Sequence, residues 1–176
     1  MERMDTIMSV ERVREHLDQW SRGGDILVMD ASTATVQLAA EALGVIPARI
    51  AKTISLHGGD NALIIVVAGD AKIDNRKFRE RFSFKPHMLS PQEALEYTGH
   101  PVGGVCPFAL PKTVPVYLDQ SLRRFSTVYP ACGSGNSAIE LTLQELEEFS
   151  AAKGWVDVCK GWCDDSEGTE STPSNC

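Results

Sequence analysis

Residues 50–68 constrain the fold more than any other stretch. Ile50, Lys52, Ile54 and Leu56 alternate with Ala51, Thr53 and Ser55, and a period of two belongs to a β-strand. The turn sequence His57-Gly58-Gly59-Asp60-Asn61 follows, and then an uninterrupted apolar run from Ala62 to Ala68. Two such runs joined by a Gly-rich turn read as a β-hairpin, closed by Gly69-Asp70.

The flanking sequence adds helices and short strands. Val10, Val13, Leu17 and Trp20 recur at helical spacing until Gly23-Gly24, which predicts an amphipathic first helix. Ile26–Met29 reads as a short strand. Ser32 and Thr33 are candidate caps for a helix that turns Leu38, Ala39, Ala42 and Leu43 inward and stops at Gly44. Asp74 caps a basic helix through Phe82, and Ser90-Pro91-Gln92-Glu93 is a capping box whose helix stops near Gly99. From His100 to Pro115, four prolines and the pair Gly103-Gly104 predict a long ordered loop. Val116–Leu118, Ser126–Tyr129 and Ala138–Leu141 read as strands, Thr142–Glu145 as a second capping box with a helix to about Gly154, and 155–158 as an edge strand. Strands outnumber helices and several are joined by tight turns, so the expected class is mixed α/β: a curved, partly antiparallel sheet flanked by helices.

Composition bounds the organisation and the partners. The chain has 176 residues, 43% of them apolar, enough for one domain stabilised by its own core. That domain is expected over residues 1–163. The segment 164–176 has four acids, no base and no aliphatic or aromatic side chain, and reads as a disordered tail. The formal charge is -7, of which the rest of the chain carries only -3, which disfavours tight binding to long DNA duplexes. No apolar run approaches the ~20 residues of a membrane span, and the N-terminus does not read as a secretion signal. The five cysteines, an odd number without scaffold spacing, fit reduced thiols in a cytoplasm.

Few residues are candidates for chemistry. Lys52 shares a strand face with Ile50, Ile54 and Leu56, where an unpaired ammonium is costly. It is either a lysine snorkelling at a sheet edge or a cation at a pocket rim that binds phosphate or carboxylate. Gly103-Gly104-Val105-Cys106-Pro107 is either surface-loop punctuation or a nest of backbone N–H groups able to hold an oxyanion. Cys132-Gly133-Ser134-Gly135-Asn136-Ser137 has neither the lysine of a phosphate loop nor the pattern of a nucleophile elbow, and reads as a hairpin turn that can line a pocket. Cys159 and Cys163 lack a second ligand pair for zinc, and the four histidines are scattered. Lys72, Arg76, Lys77, Arg79, Arg81 and Lys85, offset by Asp74 and Glu80, form a basic stretch that is either a solvated face or a contact for RNA backbone.

In this order and spacing, the segments ASTATVQLAAEALG, RIAKTISL, VVAGDAKID, TGHPVGGVCPFAL and YPACGSGNSAIELT resemble the YbaK and prolyl-tRNA synthetase-associated editing domain family, from about Ala31 to Leu146. The resemblance implies a curved, barrel-like mixed sheet and hydrolysis of the ester between a wrong amino acid and the terminal adenosine of a tRNA, most often tRNA for proline. Such editing serves where a synthetase pocket cannot reject a small or isosteric amino acid by binding alone. The family lysine matches Lys52 and its G-x-x-x-P loop matches Gly103 to Pro107. Lys52, Gly103 and Gly104 are therefore the expected catalytic positions, with Thr33, Pro107, Gly133, Gly135 and Ser137 expected to bind substrate. No metal, other cofactor or covalent enzyme intermediate is implied.

The implied partners are the aminoacyl-tRNA acceptor end and, for some relatives, prolyl-tRNA synthetase. Some members carry a histidine in the segment equivalent to Cys132–Ser137 and this chain does not, so alanine, serine, threonine and cysteine all stand as amino acids removed. Two rivals are a non-catalytic module that binds aminoacyl-tRNA or a synthetase, and a hydrolase using Cys106 as nucleophile.

Overall fold

The computed structural model describes residues 2–162, so the expected acidic tail lies outside the described residues. The chain opens with α1 (Glu2–Leu17), which buries Val13 and Leu17 completely. A two-residue strand, β1 (Leu27–Val28), and α2 (Val36–Leu43) lead to the predicted hairpin of β2 (Ile50–His57) and β3 (Ala62–Ala68). Seven residue pairs hold that hairpin, from Ala51↔Ala68 to His57↔Ala62. Then come β4 (Lys72–Ile73), α3 (Asn75–Phe82), α4 (Pro91–Thr98), β5 (Val116–Asp119), β6 (Thr127–Pro130), β7 (Ser137–Ala138), β8 (Leu141–Thr142), α5 (Leu143–Phe149), β9 (Gly154–Val156) and β10 (Cys159–Lys160).

The main sheet has the order β8-β6-β2-β3-β5-β9 and curls into a half-barrel. It is mixed: β2 runs antiparallel to β3 but parallel to β6, and β3 and β9 both run parallel to β5. β3 is buried along its whole length, as its unbroken apolar run requires, and Ile64, Ile65 and Val66 are the centre of the core. Each such side chain contributes about 1.5–3 kcal/mol by leaving water. β1 with β7, and β4 with β10, form two separate antiparallel ribbons at the margins.

The caps at Asp74, Ser90 and Thr142 form as predicted, the last two as complete capping boxes. Elsewhere local chemistry moved the boundaries. α2 is capped by Thr35, whose hydroxyl accepts from Leu38 N–H, and the Thr33 N–H two residues earlier donates to Gly135 O. The helix consequently turns Ala39 and Ala40 toward Ile50, and Leu38 and Ala42 are exposed. The predicted strand 138–141 splits in two, β7 pairing with β1 and β8 with β6, and Glu140 between them collects bonds from Thr127, Tyr129 and Arg49. α5 stops at Phe149 rather than near Gly154. The Ser150 hydroxyl donates to Leu146 O, and Ala151 turns the chain at φ +50°.

The loop from His100 to Pro115 has no regular structure and buries His100, Cys106, Phe108 and Val114. His100 is fully buried, with Nε2 2.7 Å from Phe108 O and Nδ1 2.5 Å from the Ser9 hydroxyl. A carbonyl can only accept, so Nε2–H donates, and Nδ1 of the neutral ring accepts from Ser9. The ring thereby ties the loop to α1. Burial pulls its pKa down from the usual 6.5 to about 4, with the Arg12 charge acting in the same direction. The unfolded chain takes up this proton between those two values, so stability from the neutral ring is intact above pH 6.5 and is lost as pH falls toward 4. The loss totals roughly 3 kcal/mol. In His100→Gln, urea unfolding followed from pH 7 to pH 4 is expected to show a fall in stability smaller by about that amount; an unchanged fall assigns it to other groups.

Candidate active site

The burial of β2 is interrupted at two adjacent residues. Ile50, Ala51, Ile54, Ser55 and Leu56 are buried, whereas Lys52 and Thr53 are only partly so. These two lie at the floor of a cleft of about 320 Å³. One wall is the segment from Thr33 into the first turns of α2, and the facing wall is Met88, Leu89 and the start of α4. Val102, Gly103 and Val105 of the long loop close a third side, and Tyr129, Ala131, Ser137 and Ala138 complete it.

The polar groups of this cleft are few. Lys52 Nζ donates to Ala71 O at 2.8 Å, in the turn between β3 and β4. Burial pulls its pKa below the usual lysine value; Lys72 acts in the same direction, while Cys159 and Asp70 oppose it. The Thr53 hydroxyl is buried and has no hydrogen-bond partner among the described residues. Leaving such a group unpaired costs about 1–3 kcal/mol, which a partner entering the cleft recovers. Ser137 bonds inside its own turn, with Ser134 Oγ 2.7 Å away. The Tyr129 hydroxyl donates to Glu140, and the Arg49 guanidinium lies 5.2 Å from its ring centre, so the ring is fixed from both ends. Among the described residues the lining includes no carboxylate, histidine or thiol. The cleft therefore offers a cation, hydroxyls and backbone groups within apolar walls.

The expected site residues divide into two sets. Lys52, Gly103, Thr33 and Ser137 line the cleft. Gly104, Pro107, Gly133 and Gly135 are not part of its lining. A Cβ at Gly104 would stand 2.5 Å from Gly133 O, and one at Gly133 would stand 2.9 Å from the Ser9 backbone. One at Gly135 would lie 3.3 Å from Ala34 Cβ. These glycines permit the two loops, α1 and the Thr33 segment to meet backbone against backbone. Gly104 N–H is donated to Pro101 O in a turn, and Gly103, at φ +89°, presents the loop to the cleft.

Sequence reasoning missed Thr53 and Tyr129. Thr53 carried no distinguishing signal in the sequence, since its unpartnered hydroxyl is a property of the folded surroundings. Cys106 is fully buried and does not line the cleft, and burial pushes its thiol up to about 12. A neutral, enclosed thiol is a poor nucleophile, so the structure gives no support to cysteine-dependent hydrolysis.

A curled mixed sheet with a lysine-floored cleft between a helix start and a Gly-rich loop defines a class of small single-site domains, and known proteins place this chain within it. The sequence pattern of the aminoacyl-tRNA editing domain matches residues 30–149, and the chain belongs to that family. It is 59% identical over 156 residues to the uncharacterized protein YwhH of Bacillus subtilis, covering 88% of this chain and 99% of that one. It is 28% identical over 109 residues to the Enterococcus faecalis protein named "Putative Cys-tRNA(Pro)/Cys-tRNA(Cys) deacylase EbsC", covering 61% of this chain and 66% of that one. A crystal structure described as "a putative trans-editing enzyme for prolyl tRNA synthetase" superimposes with a TM-score of 0.78 at 28% identity, covering 87% of this chain and 98% of the other. The structure of the hypothetical protein APE2540 does so with a TM-score of 0.71 at 29% identity, covering 82% and 99%.

Gly104→Ala is expected to lower unfolding free energy by about 1–3 kcal/mol, because its Cβ has to displace the Gly133 backbone. Gly154→Ala, whose Cβ meets nothing within 4 Å, should change it by less than about 1 kcal/mol. Urea denaturation of the two variants measures the difference.

Proposed function

We propose that this protein is a trans-editing aminoacyl-tRNA deacylase. It hydrolyses the ester that joins a small amino acid (alanine, serine, threonine or cysteine) to the terminal adenosine of a mischarged tRNA, foremost tRNA for proline. Family membership supports the reaction class, and the names borne by the Enterococcus relative and the trans-editing crystal structure support the tRNA. The observation that carries the reading is the break in β2, where Lys52 and Thr53, the latter with an unpartnered hydroxyl, interrupt a buried strand and both residues line a largely apolar cleft.

In this reading Lys52 binds the phosphate or sugar of the terminal adenosine, and Thr53 bonds the aminoacyl end. The backbone N–H at Gly103 polarises the ester carbonyl, with Gly104 shaping the loop behind it. Thr33 and Ser137 contact the substrate from the walls, and Pro107, Gly133 and Gly135 keep those walls in place. The lining offers no carboxylate, imidazole or thiol, so the attacking group is water, oriented by the neighbouring ribose hydroxyl, and its proton passes to the departing ribose oxygen. The new bond forms at the ester carbon, the bond to the ribose oxygen breaks, and that oxygen leaves as a hydroxyl. Positioning and fixed dipoles supply the acceleration. The short side chains of Ala34, Ala131 and Ala138 suit a small amino acid.

The test is deacylation of a panel of mischarged tRNAs under single-turnover conditions. Lys52→Ala is expected to reduce the rate at least about 100-fold with circular dichroism and Tm retained, the scale of removing one oriented charge-stabilising group. Thr53→Val should reduce it about tenfold, a loss of about 1.4 kcal/mol for one hydrogen bond. Cys106→Ala should keep the parent rate. Parent activity in Lys52→Ala would remove the proposed site, and tRNA binding without hydrolysis by the parent would make the protein a binding module.

A further inference from the structure

The basic stretch 72–85 is divided by the fold. On α3, Arg76 pairs with Glu80 at 3.0 Å, and Lys77 pairs with Asp157 at 2.9 Å and donates to Cys159 O. Arg81 lies over the rings of Phe82 and Tyr117. Much of the helix's charge is thus already matched. Lys72 is separated from this set, because it lies on β4 and is paired across the ribbon with Lys160 of β10.

Residues directly opposite in an antiparallel pair share a face with Cβ atoms about 4.5–5.5 Å apart, and like charges in that relation destabilise the pairing. Lys72 and Lys160 are both exposed, and among the described residues neither forms an ion pair. The nearby acids have other partners, and Asp74 also lies within electrostatic reach of Lys160. Asp70 is gripped by Arg124 through two bonds of 2.8 and 2.5 Å, and Asp74 accepts the Arg76 and Lys77 N–H groups at the start of α3. The ribbon also adjoins the cleft: Lys52 Nζ bonds the carbonyl of Ala71, the residue before Lys72, and lies within electrostatic reach of Lys72 and Cys159. Three lysines from three strands therefore form one cationic track that runs from Lys52, a residue of the cleft lining, past Ala71 and out over the β4–β10 ribbon.

We propose that this ribbon is the docking surface for the single-stranded 3′ end of tRNA. Lys72 and Lys160 bind the phosphodiester groups that precede the terminal adenosine, while that nucleoside occupies the cleft. The inference rests on the editing reading for the occupant of the cleft, and it adds a second surface and residue 160, which lies outside the segment matching the family. It also accounts for recognition by a protein of net negative charge. Two oriented cations beside the cleft act locally, whereas the rest of the surface repels nucleic acid at longer range.

The experiment compares the parent chain, Lys72→Gln/Lys160→Gln, and Lys112→Gln as a control by the hairpin turn, where Asn61 bonds Thr113 O. Binding of uncharged tRNA and of a short CCA-ended oligonucleotide is titrated with salt, alongside steady-state deacylation of mischarged tRNA. Each lost phosphate contact flattens log K against log salt by about 0.7, so the double variant should be flatter by about 1.4 and bind roughly 25-fold more weakly at 0.1 M salt. The same loss is expected for tRNA and for the oligonucleotide, and it should appear in KM with kcat preserved. Lys112→Gln should match the parent. A double variant with parent slope and affinity, or a loss seen with tRNA but not with the oligonucleotide, overturns the proposal. If the parent hydrolyses no mischarged tRNA, the editing reading fails, and the binding titrations still decide the role of the ribbon.

Discussion

The structure depends first on the register between β2 and β3. Seven residue pairs fix which side chains of β2 face which neighbours, and a slip of one residue would exchange its two faces. β3 tolerates no other arrangement, since every residue in it is apolar and buried. With β3 set at the centre, β2 must lie between it and β6, and its backbone is paired near Ile50 and Ala51 on both sides. Lys52 and Thr53 are thus held on a rigid strand at the one point where covering elements leave β2 open. Sites on strands keep their geometry better than sites on loops, which suits a cleft that works by positioning.

A second constraint closes the cleft. The long loop and the Cys132–Ser137 turn meet through Gly104 and Gly133, and Gly133 in turn meets α1 at Ser9. Ser9 also bonds His100, so the helix holds one loop by its backbone and the other by a buried hydrogen bond. These contacts explain glycines that a ligand does not touch. A Gly-rich segment beside a cleft invites a reading as an anion nest, but here some of its glycines serve backbone packing, and Gly103 is the one that lines the cleft.

Much of the fold was legible because its signals were local. The hairpin, the capping residues Asp74, Ser90 and Thr142, and the irregular stretch 100–115 all follow from short-range chemistry that tertiary contacts did not override. The errors arose where a distant partner decided. The segment before α2 is bound at Thr33 to Gly135, a hundred residues away, and the helix starts two residues later, capped by Thr35. The strand at 138–141 broke because β1 and β6 compete for it. For the site, Lys52 was visible as a charge in the wrong company, whereas Thr53 looked like an ordinary alternating strand residue. Its distinction, a buried hydroxyl without a partner, exists only once the surrounding segments are in place.

Charge placement follows the same logic. Residues 1–163 carry a formal charge of only -3, so attraction to a polyanion cannot come from net charge and has to come from where cations are left uncompensated. Three of the four basic groups of α3 are matched by carboxylates or rings, Asp70 is matched by Arg124, and Asp74 caps α3 within electrostatic reach of Lys160. Lys72 and Lys160 face one another across the β4–β10 ribbon without an ion pair among the described residues, and Lys52 lies within electrostatic reach of Lys72. A field confined in this way favours a short anionic segment next to a bound nucleoside over an extended duplex, because contacts beyond about 8–10 Å are screened at ordinary salt. In the editing reading, a protein built like this senses the end of a nucleic acid, where the ester lies, and leaves the body of the molecule largely unread.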